Sequence, residues 1–158
     1  PAGAKRQLLG VFDGKWLTVI ADVLKKLGSE HVMVVHSEDG LDELSIAVPT
    51  NVSELKNGLV TNYTITPEQF GFERASMEPL KVKNPEESLS LVYSALSGKN
   101  NRASDIVALN AGAAIYVSGT AGSLGDGVEM ARDAIGSGLA LEKMKDFTDF
   151  TNQVAANG

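Results

Sequence analysis

Directly after an apolar run, the sequence His36-Ser-Glu38-Asp39-Gly40-Leu41-Asp42-Glu43 sets four carboxylates within six residues, with no lysine or arginine among them. Carboxylates this close repel one another unless water screens them or a cation joins them. Hard anionic oxygens suit Mg²⁺, which typically takes one or two carboxylates and completes its shell with water and phosphate oxygens. The alternative is a solvated acidic turn with Gly40 at its bend, and composition alone leaves both readings open. The ordered ligand positions of a calcium helix-loop-helix are absent.

Other reactive residue types are sparse. The two histidines, His31 and His36, bracket the apolar run, and no nucleophile stands at a triad-like spacing from either. His36 reads as a structural strand-end residue and His31 as a surface or structural one. Gly122-Ser-Leu-Gly-Asp-Gly127 has no strand before it, so it reads as a helix boundary rather than a phosphate cradle. The chain has no cysteine, which rules out disulfides, thiolate chemistry and a Cys-ligated zinc site, and suits a reducing cytoplasm.

The acidic turn needs elements to hold it. Asp13 can cap a helix running to Leu27, with Gly28 as its stop and Trp16, Ile20, Val23 and Leu27 as its buried face. His31–His36 reads as a strand covered on both faces. Leu44–Pro49 reads as another short strand, and Asn57-Gly58 as the turn of a hairpin between residues 52–55 and 59–65. Thr66-Pro67-Glu68 opens a short helical turn ending at Phe70 or Gly71.

Helices follow. Asn84-Pro85-Glu86-Glu87 starts one that carries Leu89, Val92 and Leu96. Ser104 caps the next, apolar or small nearly all round from Ile106 to Val117. Ser123 caps a third, with Leu124, Val128, Ala131 and Ile135 on one face. A last helix from Leu139 carries Met144, Phe147 and Phe150, and the final Ala-Ala-Asn-Gly is expected to fray.

Together these elements imply an α/β fold: an incomplete, largely parallel open sheet with a hairpin and flanking helices, forming a single domain over residues 1–158. The strand His31–His36 has few candidate neighbours. The missing partners are expected upstream, and the initial proline points the same way.

Composition narrows the function classes. The net charge is -6 and no long basic run occurs, so the electrostatic footprint of nucleic-acid binding is missing. The uncharged stretch Ile106–Gly125 is interrupted by Asn110, Ser118, Thr120 and glycines, and fits a buried helix rather than a membrane span.

The run His36–Glu43 resembles the His-x-x-Asp-Gly-Leu-Asp-Glu turn of the anthranilate phosphoribosyltransferase family. Pro1–Phe12 is similar to the segment that follows the family's Leu-Thr-Asn-Pro sequence. Tyr63–Gly71, Asn84–Glu87, Asn110–Ala114 and Leu139–Lys145 fit as well, so the resemblance spans essentially the whole chain. It implies the family's C-terminal α/β domain without its N-terminal helical domain. It implies Mg²⁺ as the cofactor, held by Asp42 and Glu43, with Glu38 and Asp39 shaping the turn or acting through water.

The implied reaction, part of tryptophan biosynthesis, is phosphoribosyl transfer from phosphoribosyl pyrophosphate to anthranilate. The complete enzyme is expected to be a cytoplasmic homodimer with no nucleic-acid or membrane partner. The family's Gly-Thr-Gly-Gly-Asp loop, its Lys-His-Gly segment and its anthranilate-associated arginine region are absent from these 158 residues. The chain alone is therefore expected to be inactive, and no catalytic residue is assigned. Two alternatives are a catalytically silent, nucleic-acid-binding relative and a nucleoside phosphorylase-like enzyme.

Overall fold

The computed structural model describes residues 3–99 and 101–156, the side chain of residue 101 excepted. Strand β1 is Arg6–Gly10, helix α1 Leu17–Lys26, β2 His31–Ser37, β3 Thr50–Lys56 and β4 Leu59–Ile65. Helices α2 (Pro85–Leu96), α3 (Asn101–Ser118), α4 (Leu124–Gly136) and α5 (Leu139–Ala156) follow. The strands form one sheet in the order β1-β2-β3-β4.

Alternation along β2 explains the layering. Val32 and Val34 face α1, in a cluster with Val11, Ala21 and Leu55. Met33 and Val35 face the opposite way, into a larger cluster with Leu109, Ala113 and Val117 of α3 and Val128, Ala131 and Ile135 of α4. A strand buried on both faces must be apolar along its covered length, and the centre of β2 is.

The open α/β architecture is as expected, but the pairing within the sheet is mixed rather than largely parallel. β1 and β2 are parallel, while β2–β3 and β3–β4 are antiparallel. Only β1 to β2 has a helical crossover. The chain leaves β2 through bends with no helix before β3, so it returns beside β2 in the opposite sense. β2 also has partners on both edges within this chain, correcting the expectation that they lie upstream.

Leu44–Pro49 is irregular and not a strand. Leu44 and Ile46 are fully buried plugs in the core, and the Ile46 carbonyl accepts from the Ala75 N–H. The face of α1 also differs from expectation. Trp16, Val23 and Leu27 are exposed, whereas Ala21 is buried and Leu17, Ile20 and Leu24 pack with it. Residues Gly14–Trp16 form a 3₁₀ turn before the helix, so Trp16 does not share its phase. The small Ala21 then sets which stripe meets the sheet.

The hairpin is as expected, with positive φ at Asn57 and Gly58. The Thr66 start leads to a 3₁₀ turn over Pro67–Phe70. Asn84 and Ser123 are both N-caps, the latter accepting from the Asp126 N–H at 3.1 Å, so the glycines of 122–127 do mark a helix boundary.

Ser104 is not a cap. Helix α3 begins at Asn101, and the Ser104 hydroxyl donates to the Ala95 carbonyl at 2.7 Å, tying α3 to α2. Within 106–117, Ala108, Leu109, Gly112, Ala113 and Val117 are buried, while Ala114 is exposed. A Cβ on Gly112 would fall 2.6 Å from the Val128 backbone, and one on Gly127 would fall 2.3 Å from the Gly112 carbonyl. These glycines let α3 and α4 touch backbone to backbone. In α5, Phe147 and Phe150 are exposed. The expected fraying at the end falls partly on helical Ala155 and Ala156, and partly on 157–158, which lie outside the described residues.

Candidate metal-binding site

The acidic turn sits at the carboxyl end of β2, where ligands bind in open α/β sheets. Its shape comes from short-range hydrogen bonds. The Ser37 N–H donates to the Leu41 carbonyl at 3.0 Å, and the Gly40 N–H to the Ser37 carbonyl at 2.9 Å. Gly40 has φ +87°, a bend that suits glycine. Asp39 is occupied in holding the turn: Oδ1 accepts from the Leu41 N–H at 3.3 Å and Oδ2 from the Ser45 hydroxyl at 2.9 Å.

Longer-range anchors fix the backbone around Asp42 and Glu43. The buried Ser37 hydroxyl donates to the Glu43 carbonyl at 2.6 Å and lies 2.7 Å from Thr50 Oγ1 of β3. The carboxamide of Asn110, reaching from α3, bonds both the N–H and the carbonyl of Leu44, each at 2.9 Å. From the other side, Gly10 of β1 closes on the Asp42 carbonyl.

Against this fixed backbone the side chains of Glu38, Asp42 and Glu43 are exposed. No ion pair or side-chain hydrogen bond engages them among the described residues. An unneutralised pair of adjacent carboxylates fits the donor chemistry of Mg²⁺. Among the described residues no cluster of three His, Cys, Asp or Glu side chains could hold a metal by itself. The pair could supply only part of a coordination shell, and water and a bound ligand would provide the rest. Leu41 and Glu43 also border a cleft of about 320 Å³, whose other lining residues include Met77, Leu91, Ile106 and Val107.

Both histidines make hydrogen bonds within the fold. His36 Nδ1 is 2.8 Å from the Val11 carbonyl, which can only accept, so Nδ1 carries the proton. His31 is buried, not a surface residue, and its Nε2 lies 2.8 Å from Glu54 Oε1. Glu54 also accepts from Tyr116 at 2.9 Å and from Tyr63 at 2.8 Å, and Lys56 donates to Tyr116. Burial pushes the Glu54 carboxyl upward, but hydrogen bonds from Tyr63, His31 and Tyr116 outweigh it and hold its pKa below the usual range. Burial, reinforced by the Glu54 charge, raises that of Tyr63.

Sequence reasoning missed this network and the anchors Gly10, Ser37, Thr50 and Asn110. The one available signal was Asn110, a lone amide in the middle of an apolar helix.

The fold and turn define an open α/β protein with an exposed carboxylate pair at the end of a sheet strand. Residues 1–141 match the family described as glycosyl transferase family, a/b domain, and the chain belongs to that family. It is 56% identical over 155 residues to the anthranilate phosphoribosyltransferase of Chromohalobacter salexigens, covering 98% of this chain and 45% of that protein. The chain thus spans less than half the length of the curated relatives it matches.

The crystal structure of anthranilate phosphoribosyltransferase from Thermus thermophilus superposes with a TM-score of 0.83 at 39% identity, covering 95% of this chain and 44% of that one. The Saccharomyces cerevisiae enzyme in complex with PRPP and Mg superposes with a TM-score of 0.77 at 25% identity, covering 90% and 41%. No helix among the described residues is long and apolar enough to cross a membrane.

Proposed function

We propose that this chain is the magnesium-bearing part of an anthranilate phosphoribosyltransferase, a cytoplasmic enzyme of tryptophan biosynthesis that works as a homodimer when complete. The domain would be one α/β unit over residues 1–158, completed by the helical domain and phosphate-binding loops that its relatives' greater length leaves room for. In the reaction, the anthranilate amine forms a bond to the ribose anomeric carbon as the bond from that carbon to pyrophosphate breaks. The amine gives up a proton and pyrophosphate leaves.

Asp42 and Glu43 would hold Mg²⁺, and the ion when bound would supply positive charge beside the pyrophosphate oxygens. The chain's own contribution is to present two carboxylates on a backbone that is already ordered, so little entropy is lost when a ligand arrives. The observation that carries this reading is the Asp42–Glu43 pair, without a side-chain partner among the described residues, on a turn anchored from β1, β2 and α3. The net charge of -6 weighs against a nucleic-acid-binding relative.

The test joins this chain to the upstream half of the Chromohalobacter salexigens relative and follows phosphoribosyl anthranilate formation against Mg²⁺ concentration. Activity should appear, and Asp42→Asn or Glu43→Gln should lower it and raise the Mg²⁺ requirement. An active chimera in which both variants keep wild-type rates and Mg²⁺ dependence would refute the assignment.

A further inference from the structure

We propose that Asn110 is a positioning residue for the Asp42–Glu43 pair: its carboxamide, delivered by α3, holds the backbone next to the carboxylates in the geometry that receives a divalent cation. This rests on the metal reading of the pair given above.

Three of the amide's four hydrogen-bonding positions are used. Asn110 Oδ1 accepts from the Leu44 N–H at 2.9 Å, while Nδ2 donates to the Leu44 carbonyl at 2.9 Å and to the Ile106 carbonyl at 3.0 Å. The first two bonds reproduce what a neighbouring β-strand would offer one residue. They do so at Leu44, in a segment that has no strand pairing of its own. Alanine, leucine or serine at this position could not supply an acceptor and a donor at that reach.

The amide stands half-buried in an apolar setting. Asn110 lies in an uncharged stretch of helix between buried Leu109 and Gly112, where an apolar side chain would avoid the desolvation of an amide. Two of its three bonds go to the residue directly after Glu43. Glu43 itself is pinned at its carbonyl by Ser37, and the Asp42 carbonyl rests on Gly10.

Adjacent carboxylates repel, and the two residues would drift apart into water if their backbone were loose. Asn110 adds a polar anchor from the helical layer, across 66 residues of sequence, beside the buried Leu44 side chain that packs in the same core. Groups hydrogen-bonded to metal-binding side chains commonly change metal affinity by about 10- to 100-fold when removed. Asn110 acts one step further back, through the Leu44 backbone, so the low end of that range is expected.

The experiment measures Mn²⁺ binding to the 158-residue chain by the electron paramagnetic resonance signal of free Mn²⁺, together with amide hydrogen exchange over residues 38–45. Asn110→Ala should weaken Mn²⁺ binding about tenfold and speed exchange of the Leu44 amide. Asn110→Ser, which keeps a hydroxyl without the reach, should do the same if the alanine variant folds poorly. Val128→Ala, in the α3–α4 contact, lowers stability away from the turn and should leave Mn²⁺ affinity unchanged.

Wild-type affinity, or unchanged exchange at Leu44, in folded Asn110 variants would overturn the proposal while leaving the metal pair standing. An equal loss in Val128→Ala would overturn it too, by showing a general stability effect. Wild-type Mn²⁺ affinity in Asp42→Asn and Glu43→Gln, or no measurable Mn²⁺ binding by the unaltered chain, would remove the metal reading itself and the proposal with it.

Discussion

Gly10 of β1 lies so close to Asp42 that a Cβ built on the glycine would stand 1.5 Å from the Asp42 carbonyl oxygen. A strand end and the acidic turn therefore meet backbone against backbone, leaving no space for a side chain. Gly10 is also the last residue of β1 in register with β2, opposite Val35. The sheet edge and the candidate site share one rigid contact.

Gly10→Ala should displace the turn or the end of β1, because neither partner at the contact is a flexible side-chain tip. Overpacking of this kind typically costs about 1–3 kcal/mol. Urea unfolding should show that loss, and amide exchange should place the added mobility in residues 37–44. Wild-type stability and exchange would mean that the contact is looser than its geometry implies.

Ala113 and Ala114 offer a paired test of helix α3. Ala113 is 0% exposed and faces the core, whereas its neighbour Ala114 is exposed. Ala113→Asp buries an unpaired charge and should destabilise by roughly 3–5 kcal/mol, while Ala114→Asp should stay within about 0.5 kcal/mol of wild type. Thermal melts of the two variants check this, and similar losses in both would contradict the orientation of α3.

Glu54 makes a prediction about pH. Its folded-state pKa is lowered, so its stabilising contribution is present above the unfolded value of 4.5 and is lost as pH falls through the folded value. Glu54→Gln should cost about 1–3 kcal/mol near neutral pH, since donors from His31, Tyr63 and Tyr116 lose a charged acceptor. The gap between wild type and variant should then narrow below pH 4.5. Unfolding free energies compared from about pH 7 down to about pH 3 test the sign, and a gap that widens in acid would reverse it.

Features set by neighbouring residues were legible in the sequence. The hairpin needed only Asn57-Gly58, the α4 start only Ser123, and the acidic turn announced itself by four uncompensated carboxylates. Features set across the fold were not. Helix α1 carries two apolar stripes, and only contact with the sheet selects the one containing Ala21. β1 is short, with both ends exposed, so it lacks the apolar run that marked β2. Leu44 and Ile46 look like strand residues because they are apolar at alternate positions, yet they serve as plugs in an irregular segment. The Asn110 and Gly10 contacts join distant parts of the chain, and single-residue chemistry gives no partner for either.

The last prediction separates the metal pair from the fold by stability alone. Asp42 and Glu43 are exposed, carry like charges on adjacent residues, and have no ion pair or side-chain hydrogen bond among the described residues. A side chain kept for stability would be expected to have a partner, as Asp39 does with Ser45. Asp42→Asn and Glu43→Gln remove repulsion and break no side-chain contact that holds the fold, so each should leave urea stability within about 0.5 kcal/mol of wild type or raise it slightly. Asp39→Asn weakens acceptors that hold the turn and should be destabilising by about 1 kcal/mol. Glu38→Gln should resemble the first two in stability but weaken Mn²⁺ binding less. Added Mg²⁺ should raise the melting temperature of wild type more than that of either pair variant, because only a ligand that prefers the folded state stabilises it. Marked destabilisation by Asp42→Asn and Glu43→Gln, with no change in the Mg²⁺ response, would make the pair a structural element and not a site.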